Sequence, residues 1–137
     1  MCIRDRYIAV HDGARPLAEP ELIDRVIEYC YKTNAAAPAV PVKDTIRVVR
    51  DGRVVETPAR DTLFAVQTPQ VFDAQLLRAA LQAAARDGAA VTDDCSAVER
   101  LGKEIYLTEG SWENIKITTP EDLLTAAAII QKREGRL

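Results

Sequence analysis

The chain has 137 residues, 47% apolar and 28% charged, with a net charge of −3; that is the size of one domain and fits neither a disordered segment nor a large basic nucleic-acid footprint. No apolar run approaches the roughly 20 residues of a membrane span, and no signal-peptide pattern opens the chain. Three cysteines without CxxC spacing, beside a single histidine, argue against a zinc site and read as free thiols in a reducing cytoplasm.

Residues 1–6 alternate in charge ahead of an apolar run and are expected to be a non-native start. Tyr7 to Val10 reads as a short strand that stops at His11-Asp12-Gly13-Ala14-Arg15-Pro16. A helix is expected from about Pro20 to Lys32, with Leu22, Ile23, Val26, Ile27 and Cys30 on one face and Pro20 at its first position. Ala35 to Val42 is apolar with two prolines, which suits a strand near an irregularity or sheet edge better than a regular central one.

Thr45 to Pro58 reads as a β-hairpin turning at Asp51-Gly52. A two-stranded hairpin is marginal alone, so its apolar face must pack on the domain or on a second copy of the chain. Thr62 to Gln67 reads as another strand. Asp73 caps a helix with Leu76, Leu77, Ala80, Leu81 and Ala84 inward and Gly88 as its stop; a short helix from about Asp94 to Leu101 follows. Ile105 to Leu107 and Ile115 to Ile117 are short strand candidates. Thr119-Pro120-Glu121-Asp122 starts the last helix, whose buried face is read as Leu123, Leu124, Ala127 and Ile130. Strands alternating with helices argue for an α/β layered fold in one domain.

Five polar islands sit where apolar runs end, and in an α/β fold the mouth of a site lies past the carboxyl ends of strands. Asp12 suits a divalent cation and Arg15 a two-pronged phosphate grip, although the same pair also fits a turn and a surface arginine. Thr45 and Arg60 stand at the two ends of the hairpin, where a hydroxyl and a guanidinium suit a phosphate and where turn formation and solvated charge serve equally as explanations. Thr68, Thr92, Asp93 and Asp94 fit capping, with a metal as the alternative for the two carboxylates. Lys116 is either a solvated strand residue or an ammonium aimed at a transferring phosphoryl group. His11 has no base or nucleophile partner in view and reads as structural.

Taken in order, HDGARP, PVKDTIR, ARDTLFAVQTPQVF, TDDCSAVE and NIKITTPEDL resemble the 2-C-methyl-D-erythritol 4-phosphate cytidylyltransferase family of the non-mevalonate isoprenoid pathway. The resemblance runs from about Tyr7 to the end and covers the C-terminal part of a family member. It implies a Rossmann-like nucleotidyltransferase fold, here N-terminally truncated, with a protruding β-arm over residues 44–60 that makes a homodimer. It further implies a cytoplasmic enzyme that uses CTP and Mg²⁺ to convert a phosphorylated sugar alcohol to its CDP derivative and pyrophosphate.

Position by position, the resemblance places Asp12 at the metal and the acceptor, and Arg15, Thr68 and Thr92 in the acceptor site of the same subunit. It places Thr45 and Arg60 on the arm, reaching a neighbour's acceptor phosphate, and gives Lys116 the stabilisation of the pentavalent phosphate. Gly13 stands where alanine is common. No GxGxR-like loop for the CTP triphosphate occurs in the chain, so the isolated chain is expected to be inactive. The alternatives are a ribitol 5-phosphate cytidylyltransferase and a non-catalytic acceptor-binding or dimerisation fragment.

Overall fold

The run Ala35–Pro41 forms strand β2, around which the whole sheet is organised. The structure is a computed structural model and describes residues 6–136. The expected non-native start therefore lies outside the described residues except for Arg6, whose carbonyl accepts from the Ala74 N–H at 2.8 Å. Along one edge of β2, β6 (Gln70–Asp73) and then β5 (Phe64–Val66) run antiparallel; along the other, β7 (Tyr106–Glu109) runs parallel. Strand β1 (Tyr7–Val10) adds outside β6, pairing Tyr7 with Asp73 and Val10 with Gln70. The sheet is thus mixed, in the order β1-β6-β2-β5 with β7 on the far side of β2.

This corrects the sheet-edge half of the reading of Ala35 to Val42, because β2 is central, and leaves its other half, a strand beside an irregularity, standing. Its prolines are tolerated for a local reason. The Pro38 carbonyl accepts from the Gln67 N–H at 2.8 Å, opposite the break between β5 and β6, so the missing proline donor falls where the neighbouring strand is itself interrupted. Strand β6 has no counterpart in the sequence reading, since Val71 and Phe72 are too short a run to announce a strand between a turn and a helix cap.

Alternate residues of the sheet feed two apolar layers. Ala35, Ala37 and Phe72 pack with Leu77, Ala80, Cys95, Ala97 and Val98, beneath α2 (Ala74–Arg86) and α3 (Asp94–Arg100). Ala36 and Val71 pack on the opposite face with Leu22, Val26 and Cys30 of α1 (Pro20–Thr33). The alanines of β2 present little side chain, which brings both helical layers close to the sheet. Burial pushes the Cys30 and Cys95 thiols up to about 11 and about 12, which leaves them protonated at neutral pH.

The ends of the helices follow local chemistry. Helix α1 stops at Asn34, in the left-handed region at φ 65°. Asp73 caps α2 by accepting from Gln75 and Leu76 N–H groups, and Asp93 caps α3 by accepting from Ser96 N–H. Helix α4 (Pro120–Arg133) is fastened at its start by Asp122, which accepts from the Thr118 and Thr119 N–H groups at 2.8 Å each. Its expected buried face is corrected: Leu123 and Leu124 are 59% and 74% exposed, and Ala126 is the residue that packs inward. Polar ties hold this helix at its far end, where Lys132 and Arg133 meet Glu113. Among the described residues, no helix is long and apolar enough to cross a membrane.

Strands β3 (Val48–Arg50) and β4 (Arg53–Glu56) form a separate two-stranded arm. Asp51 and Gly52 turn it with φ 48° and 75°, the double positive φ of a tight hairpin turn whose twist matches the strands. Val49, Val54 and Val55 are all exposed on it.

Candidate active site

Three segments without regular structure converge where β1 ends, where the strand between β5 and β6 is interrupted, and where the chain approaches α4. After β1, the Asp12 carboxylate accepts from the Ala14 N–H at 3.1 Å, which folds the loop back on itself. This is the turn that the residue type suggests, and it leaves the second oxygen for a distant partner. That partner is Lys116, whose ammonium lies 2.7 Å from Asp12 Oδ2. The hydrogen bond from Lys116, helped by the Ala14 N–H, holds the Asp12 carboxyl below its ordinary value.

Arg15 turns the other way, into the protein. Its Nη1 donates to the Asn114 carbonyl at 2.6 Å, across 99 residues of sequence. Burial lowers the guanidinium pKa while the Asp12 charge raises it. Thr68 joins the same loops: its Oγ1 accepts from the Asp12 N–H at 3.0 Å and lies 3.0 Å from His11 Nδ1. The other ring nitrogen of His11 lies 3.0 Å from the Arg15 carbonyl. A carbonyl can only accept, so in the neutral ring Nε2 carries the hydrogen and Nδ1 accepts the Thr68 hydroxyl. His11 is therefore structural in a specific sense, since it pins the Arg15 loop to Thr68.

Ile115 to Ile117 is not a strand, which corrects the sequence reading. The segment is tied instead by the Ile117 N–H to the Ala14 carbonyl at 2.8 Å. That single bond places Lys116 beside the Asp12 loop.

Thr92 is not brought into this cluster and stands just ahead of α3. Its hydroxyl is 2.8 Å from the Ser96 hydroxyl, and it lines a cavity of about 300 Å³ with Asp93, Cys95 and Ser96. Asp93 accepts from Gln70 Nε2 at 2.8 Å, two residues beyond Thr68. Burial pushes the Asp93 carboxyl up, but hydrogen bonds from Ser96 and Gln70 outweigh it and the value is lowered. Asp94 goes the other way, raised by burial and by the Asp93 charge. Asp93 acts as a helix cap here, as the capping reading had it.

Thr45 and Arg60 are not part of this cluster. They stand at the base of the arm, where Arg60 Nη1 donates to the Lys43 carbonyl at 3.1 Å and Thr45 is exposed. The Lys43 ammonium sits 3.8 Å over the Trp112 ring, which ties the arm base to the loop preceding Lys116. Gln67 and Asn114, which belong to two of the polar islands but take no role from the sequence pattern, lie buried between the converging segments. Gln67 carried a signal, a polar side chain at the end of an apolar run and next to Thr68, while Asn114, after Trp112-Glu113, carried none of that kind.

As one chain, then, the molecule gathers Asp12, Arg15, Thr68 and Lys116: two cations, a hydroxyl and a carboxylate on preformed loops. Such a set can bind an anionic group and stabilise charge on it. Among the described residues, no group of three or more His, Cys, Asp or Glu side chains gathers around a metal position. Mg²⁺, however, usually takes one or two carboxylates and completes its shell with water and substrate phosphates, so Asp12 fits that ion.

Sequence and fold both match known proteins. Residues 2–132 match the family model described as "IspD: 2-C-methyl-D-erythritol 4-phosphate cytidylyltransferase". The chain is similar to the 2-C-methyl-D-erythritol 4-phosphate cytidylyltransferase of Desulforamulus reducens, 50% identical over 92% of this chain and 54% of that protein. The enzyme of the same name from Halalkalibacterium halodurans is 47% identical over 97% of this chain and 58% of its own length. Among solved structures, the Thermus thermophilus enzyme of that name superposes with a TM-score of 0.83 at 37% identity, covering 92% of this chain and 62% of that one. The 4-diphosphocytidyl-2C-methyl-D-erythritol synthase of Anaerococcus prevotii gives 0.87 at 34%, covering 96% and 59%. The chain thus has the fold of these nucleotidyltransferases and spans little more than half the length of the curated relatives it matches.

Proposed function

The chain belongs to the 2-C-methyl-D-erythritol 4-phosphate cytidylyltransferase family, and on that premise we propose that it supplies the acceptor side of a cytoplasmic enzyme that transfers CMP from CTP to 2-C-methyl-D-erythritol 4-phosphate. The observation that carries this reading is the mutual tie between the loop after β1 and the segment before α4, with Lys116 on Asp12 and Arg15 on the Asn114 carbonyl.

In the reaction, a phosphate oxygen of the acceptor attacks the α-phosphorus of CTP. A new P–O bond forms, and the bond to the β-phosphate oxygen breaks to release pyrophosphate. The nucleophile is already an anion, so no strong general base is required, in keeping with a His11 whose ring is engaged on both sides. The task of the protein is to bring two anions together and to stabilise the charge on the transferring group. Lys116 serves the pentavalent phosphate, and Asp12 holds that ammonium in place. Arg15, Thr68 and Thr92 bind the acceptor, each charge-assisted hydrogen bond contributing about 1.5–3 kcal/mol. Asp12 is also the residue that would hold Mg²⁺, which, when bound, neutralises phosphate charge.

The arm, residues 44–60, is the dimerisation element, and through it Thr45 and Arg60 serve the acceptor phosphate of a second subunit. The exposed valines of β3 and β4 support this, because a ribbon with both faces in water is marginal by itself. The test is a chimaera that joins this chain to the amino-terminal part of the Desulforamulus reducens relative, assayed for pyrophosphate release. Turnover is expected with CTP and 2-C-methyl-D-erythritol 4-phosphate and not with ribitol 5-phosphate, while the 137 residues alone release none. Equal turnover of both acceptors would overturn the assignment.

A further inference from the structure

Gln67 and Asn114 are polar yet 7% and 0% exposed. Gln67 Nε2 donates to the Ser111 carbonyl at 2.8 Å, and its Oε1 accepts from the Ser111 N–H at 3.2 Å and from Asn114 Nδ2 at 3.4 Å. Asn114 Nδ2 also donates to the Thr68 carbonyl at 2.9 Å, and the Asn114 carbonyl receives Arg15. Gly110 makes room for this pair: a Cβ there would lie 2.7 Å from Gln67 Oε1 and 2.9 Å from the Ala39 carbonyl.

One atom shows what the pair is for. Asn114 Oδ1 is buried and has no hydrogen-bond partner among the described residues. A buried amide oxygen left unpaired is costly, and an apolar side chain of similar volume would avoid that cost. Packing alone therefore does not account for an asparagine at this position; its two donated bonds do. Both run to the turn that carries Thr68, and Lys116 follows two residues later in a segment with no strand pairing.

We propose that Gln67 and Asn114 are positioning residues: a buried amide clasp that fixes the Arg15 loop, the Thr68 turn and the Lys116 segment in one mutual register. The clasp acts through the groups it holds and touches no substrate itself. It matters because a misplacement of about 1 Å in a transfer site can cost on the order of 10²-fold in rate. What is being positioned rests on the acceptor-site reading above, but whether the clasp holds the loops can be measured without that reading.

The experiment is amide hydrogen exchange on the 137-residue chain and on three variants: Asn114→Ala, Gln67→Ala, and the apolar pair Gln67→Met with Asn114→Leu. In each, the Ile117 and Ser111 amides are expected to exchange at least roughly tenfold faster, while the β2–β6 ladder keeps its protection. The apolar pair is expected to recover thermal stability without recovering that local protection. Faster exchange across the whole sheet, unchanged exchange at Ile117 and Ser111, or full recovery by the apolar pair would each overturn the proposal. Should Asn114→Ala fail to fold, Gln67→Ala carries the same comparison, since it leaves the bond from Asn114 to Thr68 in place.

In the chimaera, the single variants are expected to lower kcat/KM for the acceptor about tenfold or more and to leave the KM for CTP unchanged. Normal acceptor kinetics despite loosened loops would also overturn the positioning role. If the unsubstituted chimaera were itself inert toward 2-C-methyl-D-erythritol 4-phosphate, the functional reading would fall while the exchange data still decided whether the clasp exists.

Discussion

Around Asp12, each side chain suited to a phosphate is already bonded to another loop of the same chain, whereas at the arm base Arg60 donates to the nearby Lys43 carbonyl and Thr45 stands in solvent. The first region is closed by part-buried polar bonds between loops and sits on the core sheet. The second is a two-stranded ribbon with exposed valines. The same residue types therefore occur in two physical states, one preorganised by bonds within the chain and one open to solvent. Preorganised donors cost little to use when charge develops, and the arm, on the dimer proposed above, would add its groups on assembly.

The sharpest way to break this contrast is Lys116→Ala in the chimaera. Turnover is expected to drop by roughly 10²–10³, as when one oxyanion donor is removed. Steady-state kinetics would show it, and near-normal kcat would remove Lys116 from its role. Arg60→Ala should be milder, raising the KM for the acceptor by about 10–100-fold through one lost charge-assisted contact. Because that contact is proposed to cross between subunits, mixtures of Arg60→Ala and Lys116→Ala chains should show activity that averaging the two cannot explain. Additive mixtures would place Arg60 in its own subunit's site or in neither.

Val54→Lys tests the arm directly. A cation in place of an exposed apolar contact should abolish dimerisation in sedimentation experiments while changing monomer stability by within about 0.5 kcal/mol. An unchanged mass would show that the arm packs on nothing through this face.

The smallest effect concerns acid. Asp12 lies below its ordinary carboxyl value through the Lys116 hydrogen bond, Glu113 through Lys132 and Arg133, and Asp122 through the Thr118 and Thr119 N–H groups. A carboxyl depressed on folding contributes stability that is fully present above its unfolded value and lost as pH falls through the folded one. Stability should therefore decline below about pH 4.5, with the loops around Asp12 and the start of α4 loosening together. Asp94, raised by burial, has the opposite sign and offsets a part of this. Asp122→Asn should flatten the acid limb of a melting-temperature profile, and an unaltered limb would show that this cap carries none of it.

The helices and the arm were legible because their determinants are local. Pro20 takes the first position of α1, Asp73, Asp93 and the Thr119–Asp122 start cap the other helices through their own neighbours, and Asp51-Gly52 supplies the positive φ that the hairpin needs. The faces of α4 were not legible in the same way. Leu123 and Leu124 have helical spacing, but spacing says only that residues share a face and not that anything covers it. The site was half legible: its islands could be named, and the family resemblance ordered them, yet the burial of Gln67 and Asn114 within them escaped because a buried polar residue is recognised by what surrounds it.

Sequence alone determined the local pieces, namely helix starts and stops, the turn of the arm, and the presence of cationic and acidic residues where apolar runs end, because each depends on side chains a few positions apart. The tertiary structure alone decided that β2 is central, that Ile115 to Ile117 is an unpaired tether, and that Lys116 meets Asp12 while Arg15 meets Asn114. Those outcomes depend on bonds between segments as much as 104 residues apart, and short-range pattern carries no information about which distant segments will share a hydrogen bond.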